Sequence, residues 1–315
     1  MTRARTAAAF LVLAAGPGVF QARAQALPSE TLETELELED GAAYLKHSLK
    51  LKLRFSNRAE APVTIEASAF EAAAFTVLDA EGLELEPSLK AEAGAPRAEA
   101  LVVEGFAAAE RIVDLSAWFP KLTARRRDLT IEWKGGHHSA GPLPVRVIRR
   151  FDERKDRRAV VATDLGTMVW RLLPDHAPRH VKRFVDLSRQ GFYDGLTIFK
   201  VVPGIQAEGG DPKGNGTGGW SRMVPAEIAK PDLAMGPGLV GASRQETSMT
   251  SDFMFFLTLG PSDFMQGMHT FYARLEDGHE VLALLQRHGN KGNTGLADAF
   301  LLDPPVRIQG ITIKK

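Results

Sequence analysis

The sequence predicts a mainly β protein in two parts. An antiparallel β-sandwich is expected over residues 27–148, and a closed or nearly closed sheet capped by helices over 159–315. Three observations carry this reading. Apolar and polar residues alternate with period two through much of 31–148. Residues 149–158, Arg-Arg-Phe-Asp-Glu-Arg-Lys-Asp-Arg-Arg, are charged almost throughout and mark a boundary. Beyond them only two segments have helical periodicity.

The first part is read strand by strand. Leu49-Lys-Leu51-Lys-Leu53-Arg-Phe55 puts every cation on one face, as a half-buried strand does. Leu36-Glu-Leu38, Val63-Thr-Ile65, Phe75-Thr-Val77, Leu83-Glu-Leu85, Leu129-Thr-Ile131-Glu-Trp133 and Val145-Arg-Val147 repeat the pattern. Ser56-Asn57, Asp79-Ala-Glu-Gly82 and Gly135-Gly136 supply turns, and Ala91 to Ala100 reads as a long loop. Asp114-Leu-Ser-Ala-Trp-Phe-Pro120 is an aromatic plug for the core. His137-His138 lacks a third ligand nearby in sequence and reads as a solvated loop. By pattern alone this part resembles the immunoglobulin-like sandwiches of exported bacterial proteins. The mixed signs of 149–158 make it a solvated linker.

In the second part, extended runs flank Asp164-Leu-Gly166 as a hairpin. Pro178 starts a helix with Val181, Phe184, Val185 and Ser188 on its inner face, and Gly191 ends it. A second helix runs from Glu280 to Arg287, with Val281, Leu284 and Leu285 on one face.

Bulk properties narrow the function. There are 39 Lys and Arg against 39 Asp and Glu, so no broad attraction to nucleic acid or an anionic membrane is expected. The absence of cysteine excludes disulfides, thiolate nucleophiles, Cys-based zinc sites and lipid attachment at cysteine. At the N-terminus, Met1-Thr-Arg-Ala-Arg5, an apolar run from Thr6 to Phe20 and Ala24-Gln25-Ala26 have the layout of a secretory signal peptide, residues 1–26. No later segment is apolar enough to span a bilayer. The expectation is an exported monomer, periplasmic or secreted, without an integral membrane segment once the leader is removed.

A set of short motifs then follows in order: Leu165-Gly-Thr-Met-Val169, Ala177-Pro-Arg-His-Val-Lys-Arg-Phe184, Gly191-Phe-Tyr-Asp-Gly195, Pro203-Gly204, Gly209-Gly-Asp-Pro212, Gly214-Asn-Gly-Thr-Gly-Gly219, Phe255-Phe-Leu-Thr258 and Gly267-Met-His-Thr-Phe271. As an ordered set they resemble the cyclophilins, the cyclosporin-binding peptidyl-prolyl isomerases, over residues 159 to 315. The resemblance implies an eight-stranded antiparallel β-barrel closed by two helices, acting on proline-containing polypeptide segments without metal or cofactor.

Rotation about a peptide bond meets a barrier of about 18–20 kcal/mol, set by C–N resonance. A donor aimed at the prolyl nitrogen, an apolar pocket for the ring and a grip on the flanking backbone suffice to lower it. In the family the donor is an arginine. Counted back from Gly209-Gly-Asp211, its position here is Lys200, with Phe199 where a histidine usually precedes it. The glutamine that orients the donor is replaced by Glu208. The pocket phenylalanine after Pro203-Gly204 becomes Ile205, and the neighbouring methionine Gln206. The resemblance also assigns Phe256, Phe264, Met265 and His269 to the proline pocket. The backbone-gripping loop falls near Arg244 and Gln245, beside a divergent stretch from Glu246 to Asp252.

An ammonium is a hydrated point charge without the guanidinium's rigid fork, so reduced activity is expected of Lys200 paired with Glu208. Other readings stand beside these. Phe256, Phe264 and Met265 also fit ordinary barrel packing, His269 fits a scaffold histidine, and Lys200 fits a surface cation. A non-catalytic proline-peptide-binding or chaperone-like module on a degenerate barrel is the alternative for the whole.

Overall fold

A computed structural model describes residues 31–88, 98–218, 223–244, 248–288 and 300–315. The expected leader (1–26), most of the Ala91–Ala100 loop and Gln245 lie outside the described residues.

Strict alternation in the first part makes strands that bury one face. In Lys50–Asn57 the side chains of Leu51, Leu53 and Phe55 are fully buried while Lys50 and Arg54 face water. The N-terminal strands are β1 (Leu32–Leu38), β2 (Ala43–Tyr44), β3 (Lys50–Asn57), β4 (Val63–Ile65), β5 (Phe75–Asp79), β6 (Leu101–Val103), β7 (Ala108–Asp114), β8 (Asp128–Gly135) and β9 (His138–Ile148). They form open sheets ordered β1-β3-β7, β2-β9-β8-β5 and β4-β6. One apolar core, centred on Leu53, Phe55, Val77, Ile131 and Trp133, receives residues from all three sheets. Trp118 and Phe119 are buried in it, Trp118 stacking on Phe75, so the aromatic stretch plugs the core.

Among the described residues, pairing departs from purely antiparallel at one place. The two-residue β2 runs parallel to β9, where Ala42, Tyr44 and Ile148 pack as a small satellite cluster. Leu83-Glu-Leu85 also fails to form a strand. It has one isolated bridge, Leu78 to Glu84; Leu85 packs against the core, but Leu83 is 67% exposed.

The second part comprises β10 (Arg158–Thr163), β11 (Gly166–Leu172), α1 (Pro178–Gln190), β12 (Thr197–Val202), β13 (Gln206–Gly209), β14 (Met223–Pro225), β15 (Leu239–Arg244), β16 (Met249–Thr258), β17 (Phe271–Asp277), α2 (His279–Arg287) and β18 (Leu301–Lys314). The sheet runs β13-β12-β18-β10-β11-β17-β15-β16, and β13 pairs back onto β16. Eight antiparallel strands thus close a barrel, with β14 an extra strand on β16. Phe184 of α1 packs with Trp170, Tyr193 and Tyr272, and Trp170 meets Phe255, in one chain of rings.

Helix α1 follows its sequence signals. Pro178 occupies the first turn, and Gly191 takes φ 76°, where its N–H reaches the Leu187 and Ser188 carbonyls. Val181, Phe184, Val185 and Ser188 are buried as expected. In α2 the inner face is Val281, Leu282 and Leu285, whereas Leu284 is 42% exposed. Nine residues make too few turns for spacing alone to orient that face.

Helix α1 also meets the first part. Tyr44 donates to the buried Asp186, and Lys182 reaches both Tyr44 Oη (2.6 Å) and Asp186 Oδ2 (2.9 Å). The charged run departs from a fully solvated linker at Asp156. That residue is buried, accepting from Arg149, from Arg189 at 2.6 Å and from the Asp152 N–H at 2.7 Å. Its neighbours of opposite sign supply what a buried carboxylate needs.

Candidate active site

The β12–β13 hairpin builds the first half of the site. Gly204 takes φ 72° in its turn, and the Ile205 N–H bonds the Val202 carbonyl at 3.0 Å. A bulge at Phe199 lets Ile198 and Phe199 both enter the core, so that Lys200 turns outward, directly opposite Glu208. The Lys200 ammonium lies 2.9 Å from Glu208 Oε1, and Gln206 Nε2 donates to the same oxygen at 2.8 Å. Lys200 remains 30% exposed, so it can reach a ligand. The ion pair fixes the cation and at the same time occupies one of its N–H bonds.

Register carries this cluster to the second half. Glu208 faces Phe256 across β13–β16, Phe256 faces Gly241 across β16–β15, and Gly241 faces Phe271 across β15–β17. Directly opposed residues share a face, so the charged pair and the two rings form one row across the barrel. His269 meets Phe256 edge-on at 5.4 Å and Phe271 at 6.2 Å. Phe256, Phe271 and Met265 are buried together with Leu239 and Leu233.

Of the residues singled out from sequence, Lys200, Gln206 and Glu208 are thus brought together. So are Phe256, Met265 and His269, and the opposition of Glu208 to Phe256 joins the two groups. Phe264 lies on the short turn Asp263–Met265 and is 59% exposed. Ile205 is 42% exposed at the hairpin tip. Neither packs in the buried cluster; each is a large apolar side chain open to solvent.

Gly241 was not singled out. A Cβ there would stand 2.4 Å from Phe256 Cζ, so the ring lies over bare backbone. The signal was available, since a glycine inside an apolar strand run such as Leu239-Val-Gly-Ala marks close approach. Phe271 is the other buried ring of this cluster.

Burial, with the Arg244 guanidinium adding to it, pushes the His269 imidazole down to about 4. It is therefore neutral near pH 7. Its Nδ1 is buried without a hydrogen-bond partner among the described residues. Its backbone is held from behind, where the Ala229 N–H bonds the His269 carbonyl at 3.2 Å and the Glu227 N–H bonds Thr270 Oγ1 at 2.8 Å. Glu227 also accepts from the Arg179 and His180 N–H groups at the start of α1 and lies 2.6 Å from His180 Nδ1. His180 Nε2 in turn lies 2.7 Å from Thr250 Oγ1. This acid–imidazole–hydroxyl series is a brace and not a nucleophile, because Thr250 is fully buried.

The Gly-Gly-Asp motif is likewise structural. Buried Asp211 accepts from the Lys213, Asn215 and Gly216 N–H groups at 3.1, 3.0 and 2.6 Å, organising the following loop. Among the described residues there is no cluster of three His, Cys, Asp or Glu that could hold a metal ion.

A closed barrel thus bears, on one outer row, an ion-paired cation and a buried aromatic cluster. The family model for cyclophilin type peptidyl-prolyl cis-trans isomerase/CLD matches residues 158–312. A peptidyl-prolyl cis-trans isomerase of Synechococcus elongatus is 38% identical over 125 residues, 39% of this chain and 83% of that protein. A peptidyl-prolyl cis-trans isomerase-like 1 of Rhizopus delemar is 33% identical over 135 residues, 42% of this chain and 80% of its own length. A solved structure of a Cryptosporidium parvum cyclophilin type peptidyl-prolyl cis-trans isomerase aligns with 50% of this chain and 99% of its own, at 24% identity and a TM-score of 0.46. Through this barrel the chain belongs to the cyclophilin-type peptidyl-prolyl cis-trans isomerase family.

Proposed function

We propose that the barrel isomerises X–Pro bonds in unfolded or newly exported polypeptides, at a rate below that of arginine-bearing relatives. The observation that carries this is the single row from Lys200 and Glu208 to Phe256. A proline ring seated against Phe256, Met265 and His269, with Phe264 and Ile205 at the rim, brings its nitrogen towards the Lys200 ammonium. As the peptide twists, the nitrogen lone pair leaves conjugation and accepts a hydrogen bond from Nζ. No covalent bond forms and the proton stays on Lys200. The apolar pocket strengthens this interaction by excluding water. Gln245, assigned to the backbone grip by resemblance, belongs to the same proposal.

The low rate follows from the same geometry. The ammonium gives one N–H to Glu208, so it meets the prolyl nitrogen without a second aligned donor. A loss of about 2.7 kcal/mol in transition-state stabilisation corresponds to a hundredfold slower enzyme.

The engaged state of Lys200 also favours a second reading, a binding module that holds proline segments without turning them over. A coupled proline-peptide isomerase assay with Lys200→Ala, run beside a peptide titration, separates the two. Wild-type turnover above that of the variant supports the enzyme. Equal turnover with retained peptide affinity supports the module.

The leader pattern supports export to the periplasm or the medium, testable by fractionating cells that express the full chain. The first part, on this proposal, is an immunoglobulin-like sandwich that recruits clients. Its deletion should slow action on an unfolded protein more than on a short peptide.

A further inference from the structure

A cavity of about 540 Å³ opens between the N-terminal sheets and the barrel, and none of the groove residues lines it. Five arginines line its wall. Arg126 and Arg127 come from the loop before β8, Arg146 from β9, Arg149 from just beyond it, and Arg189 from α1. Carboxylates answer three of them. Asp128 takes Arg146 in a two-pronged pair at 2.8 and 3.1 Å, Asp156 takes both Arg149 and Arg189, and Asp194 acts on Arg146 by charge. Arg126 and Arg127 are the pair with no ion-pair partner among the described residues. The Arg127 Nε–H is, moreover, buried without an acceptor among the described residues.

We propose that this cavity binds a soluble oligophosphate. Guanidinium forks match phosphate oxygens in pairs, which a carboxylate of one charge would exploit less fully. The volume falls within the range of small-molecule sites and exceeds the needs of a single phosphate. The walls come from both parts of the chain: Arg126, Arg127 and Arg146 from the first, Arg189 and the β18 residues Ile311 to Ile313 from the second. A bound oligophosphate therefore bridges them. Its charge meets the unpaired Arg126 and Arg127, and it stabilises the seam that Tyr44–Asp186 and Asp156 already close.

The test uses the full chain and inorganic pyrophosphate at constant ionic strength, by titration calorimetry and thermal unfolding. The expected result is saturable one-site binding and a raised unfolding midpoint. Arg126→Ala with Arg127→Ala should weaken binding at least tenfold and abolish the rise. Circular dichroism without ligand shows whether that variant is folded. If it is not, Arg126→Lys with Arg127→Lys takes its place and should still bind several-fold more weakly, because the forks are lost. Equal affinity in wild type and variant overturns the proposal. So does equal binding of sulfate, and so does binding to phosphatidylglycerol vesicles without any response to pyrophosphate. None of these readouts uses isomerase activity, so they stand or fall apart from the proposed enzyme.

Discussion

The Lys200 ammonium and Glu208 Oε1 lie 2.9 Å apart on neighbouring strands, directly across the β12–β13 ladder. Both side chains are partly solvated, so the pair adds little stability and mainly directs the cation. Glu208→Gln keeps the shape and the hydrogen-bonding groups but removes the charge that holds Nζ. On the enzyme reading, the variant gains kcat/KM. Lys200→Arg with Glu208→Gln gains more, about tenfold or above, which is roughly 1.4 kcal/mol of barrier. A double variant no faster than wild type in the coupled peptide assay would refute the view that Lys200 limits the rate.

Gly241 lets the Phe256 ring lie against β15. In Gly241→Ala the new methyl would meet the ring at 2.4 and 2.6 Å and the Thr270 carbonyl at 2.9 Å. Ring and strand must part, at a cost of about 1–3 kcal/mol for an overpacked site. Urea unfolding should show the loss, and proline-peptide affinity should fall with it, since Phe256 is displaced. Unchanged affinity in a folded variant would remove Phe256 from the pocket.

Much of this was legible in local sequence. Helix α1 has a proline start, a glycine stop and one apolar face, each set by residues within the helix itself. The motif order from Leu165 to Phe271 likewise identified the barrel, because its turns depend on glycines such as Gly210, whose φ of 82° few other residues adopt. What was not legible depends on partners distant in sequence. Asp156 is buried because Arg189, 33 residues away, comes back to it. The row from Lys200 to Phe271 exists through registers across five strands, which alternation alone leaves open. Leu83 shows the converse, an alternating residue beside β5 whose side chain nothing among the described residues covers.

The contact between the two parts can be tested at Tyr44. Its hydroxyl donates to Asp186, and burial with the nearby carboxylate pushes the phenol well above its ordinary range. Tyr44→Phe leaves Asp186 Oδ2 with Lys182 alone, while Oδ1 already lacks a partner among the described residues. The expected loss is about 1–3 kcal/mol, seen as a lower urea midpoint. If the seam couples the two parts, the variant's transition broadens or splits in two when followed by tryptophan fluorescence and by amide exchange. An unchanged, single transition would show that this contact does not hold the parts together.

On the proposed function, His269 gives the pocket a pH signature. Its imidazole takes a proton at about 4, held below its ordinary value first by burial and then by Arg244. In the unfolded chain the same group takes its proton near 6.5. Between those values the unfolded state binds more protons, so stability falls as the pH drops from about 6.5 to 4. His180 is also held low, chiefly by burial, and contributes in the same direction despite Glu227. The informative quantity is therefore the difference between wild type and His269→Gln. The variant should lose part of the slope over that window and match wild type in slope above it. Arg244→Ala should move the His269 titration upward, which imidazole proton chemical shifts would follow directly. Proline-peptide affinity in wild type should stay level from pH 8 to 5 and drop near 4, as a charged imidazole enters the apolar pocket beside Phe256. If His269→Gln shows the same drop, His269 belongs to the scaffold and not to the pocket.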